Sequence, residues 1–255
     1  MKIARCQSEQ GIHYGIILGE EFKLFDIDPF TGEPQTGAPL SLSDVKLLAP
    51  CLPSKIVAYG INYAQHASEI NFDIPKEPLL FLKPSTTVIG PDDFIMLPSA
   101  STQVEYEGEL AVIIGKITRN VDPATAMQSV FGYTCLNDVT ARDLQKKDIQ
   151  FTRSKSFDTF APLGPWIETD LDPADLIIET YVNNEKRQSG NTSDMIRSVP
   201  ELVSFASGIM TLLPGDVIAT GTPAGVGKLQ HGDTVSITID KIGTLTNKVL
   251  DVSES

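Results

Sequence analysis

The sequence predicts a β-rich α+β fold, a mixed β-roll or barrel-like sandwich with a small β-rich unit at its N-terminus. Three observations carry this. From residue 79 onward, apolar and β-branched runs recur at short spacing, LLFLK, STTVIG, ELAVIIG, DVIATG and TVSITI among them, and such runs bounded by turn residues read as strands. Gly and Pro punctuate them at Gly90-Pro91, Pro214-Gly215, Gly221-Thr222-Pro223 and Gly232-Asp233, which marks turns. Helical stretches are few, so the strand–helix alternation of a doubly wound sheet is missing.

Taken in order, residues 1–50 form the small unit and residues 51–255 the main domain. Within the first, Gly11-Ile12-His13-Tyr14-Gly15-Ile16-Ile17-Leu18 and Phe22-Lys23-Leu24-Phe25 are rich in β-formers and predict two strands. The Pro/Gly/Thr stretch 28–39 predicts a loop. Pro50-Cys51-Leu52-Pro53 predicts a linker, and Ile56-Val57-Ala58-Tyr59-Gly60 a buried strand. Asn62 with Gln65 three residues on has the form of a capping box, opening a short helix from Tyr63 to about Ile70. Residues 71–78, with two prolines, read as a loop. The remaining helices are expected over 122–130, 138–149 and 198–212.

Composition narrows the function. The 255-residue chain is 41% hydrophobic and 21% charged, enough for a sizeable core and against disorder. Thirty-three acidic against 20 basic residues give a charge of −13, which opposes a nucleic-acid partner or docking on an anionic membrane. An anionic substrate would need a locally placed cation. Cys6, Cys51 and Cys135 form no CxxC pair, so neither a disulfide framework nor a zinc ribbon is expected. No apolar run approaches the roughly 18 residues of a membrane span, and the first residues lack a signal-peptide apolar stretch. The expectation is a soluble, cytoplasmic protein.

Five segments could carry chemistry. Glu105, Glu107 and Glu109 alternate along one strand and so share a face. Three such carboxylates beside the apolar run Leu110–Ile114 repel one another unless a cation separates them. An oxygen-loving divalent metal such as Mg²⁺ resolves the conflict; a solvated face of an edge strand is the alternative. Asp138, read by itself, is an N-cap, with Arg142 on the same helical face. His66 and Glu69 stand at i and i+3, where a carboxylate can orient an imidazole for work as a general base; an inconsequential surface pair is the alternative. Arg153 and Lys155 could each hold a substrate carboxylate or simply pair with Asp158. Gly221-Thr222-Pro223-Ala224-Gly225-Val226-Gly227-Lys228 fails the phosphate-loop pattern, since Leu229 stands where Ser or Thr is required. It remains a Gly-rich turn whose N–H groups and Thr222 hydroxyl could meet a ligand oxygen. His13 and His231 have no partner pattern and read as structural or exposed.

In order, GINYAQHASE, PLLFLKPSTTVIGP, VEYEGELAVIIGK, GYTCLNDVTARDLQ, RSKSFDTFAPLGPW and LLPGDVIATGTPAGVG resemble the fumarylacetoacetate hydrolase family over about residues 54–245. The resemblance implies that family's C-terminal-domain fold and a homodimer. It implies Mg²⁺ or Mn²⁺ held by Glu107, Glu109 and Asp138, with Glu105 outside the pattern and either supporting a ligand or exposed. It further implies a His66–Glu69 dyad on a helix that orders with ligand, loop 70–78 as part of a lid, Lys155 as the active-site lysine, and Arg142, Gln145 and Thr222 facing the substrate. The implied substrate is a small 2-oxo acid. The dyad favours hydrolytic C–C cleavage of an acylpyruvate-type 1,3-dioxo acid; decarboxylation of oxaloacetate and isomerisation of 2-hydroxyhepta-2,4-diene-1,7-dioate are the alternatives. The complete residue set speaks against a metal-binding module without turnover.

Overall fold

The computed structural model describes residues 1–252. The described residues are mostly β, arranged in three sheets, and none of their strand orders closes on itself. The largest, of 12 strands, runs Thr36–Ser41, Glu21–Phe25, Gly11–Leu18, Lys2–Ser8, Ala161–Glu168, Val130–Asn137, Gly108–Ile114, Val217–Ala219, Lys55–Gly60 and Leu79–Pro84, with two short strands attached off this path. A five-stranded sheet runs Glu185–Asn191, Ile177–Val182, Thr234–Ile239, Gly243–Asp251 and Phe94–Leu97. The third sheet joins Thr140–Ala141, Val104–Tyr106 and Gly227–Lys228.

The strand Gly108–Ile114 explains the architecture. Every residue in it is buried. Leu110, Val112 and Ile114 pack with Ile178, Ile237, Leu245 and the helix Val199–Ile209, whereas Ala111 and Ile113 join Ile56, Ala58, Leu163 and Val217. Successive side chains of a strand point to opposite faces, so an unbroken apolar run marks a strand covered on both. Beside it, Val217–Ala219 pairs in parallel with Lys55–Gly60. Buried Asp216 fastens that crossing by accepting from the Ser54 N–H and hydroxyl at 3.0 and 2.7 Å and from Lys55 Nζ.

The first 50 residues continue the large sheet: Lys2 and Ile3 pair with Glu168 and Ile167. The strand Lys2–Ser8 was not anticipated, and Thr36–Ser41 occupies part of the stretch expected to be loop. The hairpin of Ile177–Val182 and Glu185–Asn191 was also missed. The helices are shorter than expected: Pro123–Ala126, Arg142–Lys147 and Val199–Ile209. The last starts at a capping box in which the Glu201 carboxylate accepts from the Ser198 N–H at 2.7 Å.

Two cap assignments are corrected. The short helix is Ala64–Glu69 and has no side-chain cap. Asn62 instead donates to the carbonyls of Thr220 and Arg197 at 2.7 and 3.0 Å and accepts from the Arg197 N–H at 2.8 Å. Buried acceptors across the fold outcompete the local cap. Asp138 does not cap a helix either, since that helix begins four residues later. It lies fully buried between Val130–Asn137 and Thr140–Ala141.

Candidate active site

The strand that starts at Gly108 and the one that ends at Tyr106 belong to different sheets, and Glu107 sits at the break. The strand ending at Asn137 runs alongside, and the Glu107 N–H donates to Asn137 Oδ1 at 2.9 Å while the Asp138 N–H donates to the Glu107 carbonyl at 2.9 Å. Adjacent strand ends therefore bring Glu107, Glu109 and Asp138 together. All three are buried, and one carboxylate oxygen from each lies within 4.8 Å of the others.

Fixed cations surround this cluster. Lys155 Nζ donates to Glu107 Oε2 at 2.7 Å and Asp138 Oδ2 at 2.6 Å. Lys83 Nζ, with no solvent exposure, donates to Asp138 Oδ1 and, at 3.2 Å, to the Val139 carbonyl. Arg142 donates from Nε to Glu105 Oε2 at 2.7 Å, from one amino group to Glu107 and from the other to Gln145 Oε1 at 2.5 Å. Glu105 is thus neither exposed nor one of the clustered carboxylates: it holds Arg142.

The charges set the protonation. Burial works against ionising Glu107, but Lys155 and Arg142 outweigh it and hold its carboxyl well below the usual range. Burial pushes Glu109 up, and the Asp138 and Glu107 carboxylates push it further, well above the usual range. Burial lowers the Lys83 ammonium. It acts likewise on Lys155, where Asp138 and Glu107 win and raise the ammonium. Glu109 is therefore a carboxyl short of a cation. An all-oxygen donor set in that condition fits a hard divalent ion such as Mg²⁺ or Mn²⁺.

Above the carboxylates opens a cavity of about 480 Å³ whose walls include Tyr59, Phe81, Phe151 and Val226. His66, also on its wall, meets Glu69 Oε2 with Nδ1 across 3.1 Å, a contact in which the carboxylate accepts from Nδ1–H. Glu69 uses its other oxygen to accept from the Gly225 N–H at 3.0 Å, which ties the short helix to the Gly-rich turn. That turn needs its glycines. Gly221 and Gly225 have φ of 95° and 103°, and a Cβ on them would stand 2.8 Å from Asn62 Cβ and 2.2 Å from the Arg187 carbonyl oxygen. The Gly221 N–H donates to Glu109 Oε2 at 2.7 Å.

The structure therefore brings His66, Glu69, Glu107, Glu109, Arg142, Gln145, Lys155 and Thr222 to one cavity, with Asp138 beneath it. Thr222 reaches it with its hydroxyl already committed, donating to the Gly108 carbonyl at 2.9 Å and accepting from Gln188 at 2.8 Å. Arg153 is not brought in: it pairs with Asp148 at 2.6 Å in a half-exposed contact.

Sequence reasoning missed two buried polar residues. Lys83 ends an apolar run and resembles a strand terminus. Gln188 accepts from the Gly108 N–H at 3.0 Å and donates to Thr222 Oγ1 and the Pro223 carbonyl, both at 2.8 Å. It joins the Glu107–Glu109 turn to the Gly-rich turn from a hairpin strand, EKRQSGN, that has no apolar alternation to announce it.

Residues 55–250 match the family model described as fumarylacetoacetate (FAA) hydrolase C-terminal. The chain belongs to this family. Residues 1–50 match a second model, described as Rv2993c-like, N-terminal. Among similar proteins is the oxaloacetate tautomerase YisK of Bacillus subtilis, 49% identical over 82% of this chain and 76% of its own. A crystal structure of 5-carboxymethyl-2-hydroxymuconate delta-isomerase from Mycobacterium smegmatis superimposes with a TM-score of 0.93, at 48% identity over 98% of this chain and 100% of the other. Maleylpyruvate hydrolase from Sphingobium sp. SYK-6, solved with manganese(II) and pyruvate, gives 0.82 at 34% identity over 98% and 99%. Family members thus include tautomerases, isomerases and hydrolases. Among the described residues no helix is long and apolar enough to cross a membrane.

Proposed function

We propose that the protein is a divalent-metal-dependent enzyme that interconverts the enol and keto forms of a small 2-oxo diacid such as oxaloacetate. The observation that carries this reading is one imidazole, oriented by Glu69, on the wall of a cavity whose floor is the Glu107–Glu109–Asp138 cluster. The 49% identity to an oxaloacetate tautomerase supports proton transfer over bond cleavage.

Glu107, Glu109 and Asp138 would hold the metal. Bound there, Mg²⁺ or Mn²⁺ supplies Lewis acidity toward the 2-oxo acid group. Every other task falls to the chain. With Glu69 accepting from Nδ1–H, His66 Nε2 is left to take the proton from C3 in the keto-to-enol direction and pass it to the 2-oxo oxygen, the reverse transfer restoring the keto form. The Lys155 ammonium, held at the cluster, stabilises negative charge developing on the substrate. Phe81 and Phe151 exclude water from the proton path, and loop 70–78 covers the cavity when substrate is bound. Arg142 and Gln145 orient the substrate from one side and the turn at Thr222 from the other.

The same dyad favours a second reading. An imidazole oriented by a carboxylate also activates water, and with an acylpyruvate-type substrate that would cleave a C–C bond and release pyruvate. Assembly as a homodimer is proposed on the family resemblance and is tested by analytical sedimentation.

The test follows enol absorbance of oxaloacetate and release of pyruvate on Mg²⁺-loaded protein, with acetylpyruvate in parallel. Accelerated approach to the oxaloacetate tautomer equilibrium, with pyruvate released no faster than in buffer, is the expected result. Acetylpyruvate cleavage without tautomer exchange would replace this reading with the hydrolase.

A further inference from the structure

The cations at the cavity are unequally occupied. Arg142 is engaged by Glu105, Glu107 and Gln145, and Lys155 by Glu107 and Asp138. Lys83, behind the floor, is engaged by Asp138 and the Val139 carbonyl. Lys146 is different. It follows Gln145 in the last turn of the helix Arg142–Lys147, is exposed, and lines the same cavity. Among the described residues that line the cavity, it is the one ammonium or guanidinium without a hydrogen bond or ion pair.

We infer that Lys146 is the specificity-determining residue that receives the distal carboxylate of a dianionic substrate. This inference rests on the reading of the cavity as a 2-oxo acid site. A diacid whose 2-oxo acid end meets the floor carries a second negative charge into a cavity of a chain with a formal charge of −13. That charge needs a cation of its own, and every cation on the floor is already paired. A free ammonium at the cavity edge meets it without breaking any of those pairs. Its long flexible stem lets it follow diacids of different length, whereas a paired guanidinium is fixed. Lys147 is the internal contrast: equally basic, next in the chain and also exposed, but not a lining residue.

The experiment is calorimetric binding to the Mg²⁺-loaded protein of 2-oxoglutarate and 2-oxovalerate, which share a chain length and differ in the distal carboxylate. Wild type should bind the diacid more tightly. Lys146→Gln should weaken 2-oxoglutarate by about fivefold, the upper range for an exposed ion pair, and leave 2-oxovalerate within about twofold. Lys146→Arg should restore the preference, and Lys147→Gln, which removes the same unit of charge, should keep it. Absence of a diacid preference in wild type, equal losses for both acids in Lys146→Gln, or an equal loss in Lys147→Gln overturns the inference. Because the readout is binding, it stands or falls separately from tautomer exchange. Lost turnover with an intact Lys146-dependent preference would overturn the reaction and keep the residue.

Discussion

The floor and the rim of the cavity are built differently. On the floor, Glu107, Glu109 and Asp138 are almost wholly buried, and each is held by bonds to groups that are themselves fixed: Lys83, Lys155, Arg142 and the Gly221 N–H. On the rim, His66 rides on a six-residue helix tied to the Gly-rich turn by the Glu69–Gly225 contact at 3.0 Å. The chain beyond it turns at Asn71, with φ of 53°, and leaves Phe72 and Ile74 about half exposed. The floor is preorganised before any ligand arrives, which suits groups that must hold a cation in fixed geometry. The rim is held by fewer side-chain bonds, which under the proposed function suits a group that closes over a substrate.

Substitutions on the two sides should separate. The largest effect is expected on the rim, in rate alone: His66→Ala should lower turnover by about 10²- to 10⁴-fold while the thermal midpoint stays near wild type. On the floor, Lys83→Met should lower stability by about 3–5 kcal/mol, because removing one partner of a buried pair leaves Asp138 short of its counter-charge. Denaturant titration reads this. The matching rim change, Glu69→Gln, should lose under about 1 kcal/mol, since its side chain is 33% exposed. Gln188→Leu falls between them. It leaves the Gly108 N–H without its acceptor, about 1–3 kcal/mol, and should weaken Mn²⁺ binding measured by calorimetry.

The smallest effect is one of pH, and its sign follows from the two opposed carboxyls. Glu107 is depressed in the folded chain, so its contribution is present above the ordinary carboxylate value of about 4.3 and fades as pH falls toward its folded value. Glu109 is raised, so the folded chain holds a proton that the unfolded chain releases above that ordinary value. Its contribution is therefore lost as pH rises from there through its folded value. Of these two carboxyls, only the second operates above about pH 5. The thermal midpoint of chelator-treated protein should fall as pH rises from 5 toward 8, and Glu109→Gln should flatten the slope.

How far the sequence was legible follows from the same contrast. Glu107, Glu109, His66 and Glu69 announce themselves by local spacing, i and i+2 on extended chain, i and i+3 on a helix, and the structure puts them in one cavity. Asp138 was legible only through the ordered motifs, because a carboxylate after a strand is as good a cap as a ligand. What escaped depends on partners distant in sequence. Asn62 has the spacing of a cap, and only Thr220, 158 residues on, reveals its bond. Lys83 meets Asp138 across 55 residues and Gln188 meets Gly108 across 80. Short strands such as Lys2–Ser8 carry weak alternation and are fixed by pairing, not by propensity.

Under the proposed function the work divides in two: the floor binds metal and the rim moves the proton. This division is tested most directly by titrating Mn²⁺ calorimetrically into wild type, Glu109→Ala and His66→Ala, and measuring oxaloacetate tautomer exchange on the same samples. Glu109→Ala should neither bind the ion nor turn over, and His66→Ala should bind it as wild type does while turning over at least about 10²-fold more slowly. Full Mn²⁺ binding by Glu109→Ala, or its loss in His66→Ala, would contradict that division.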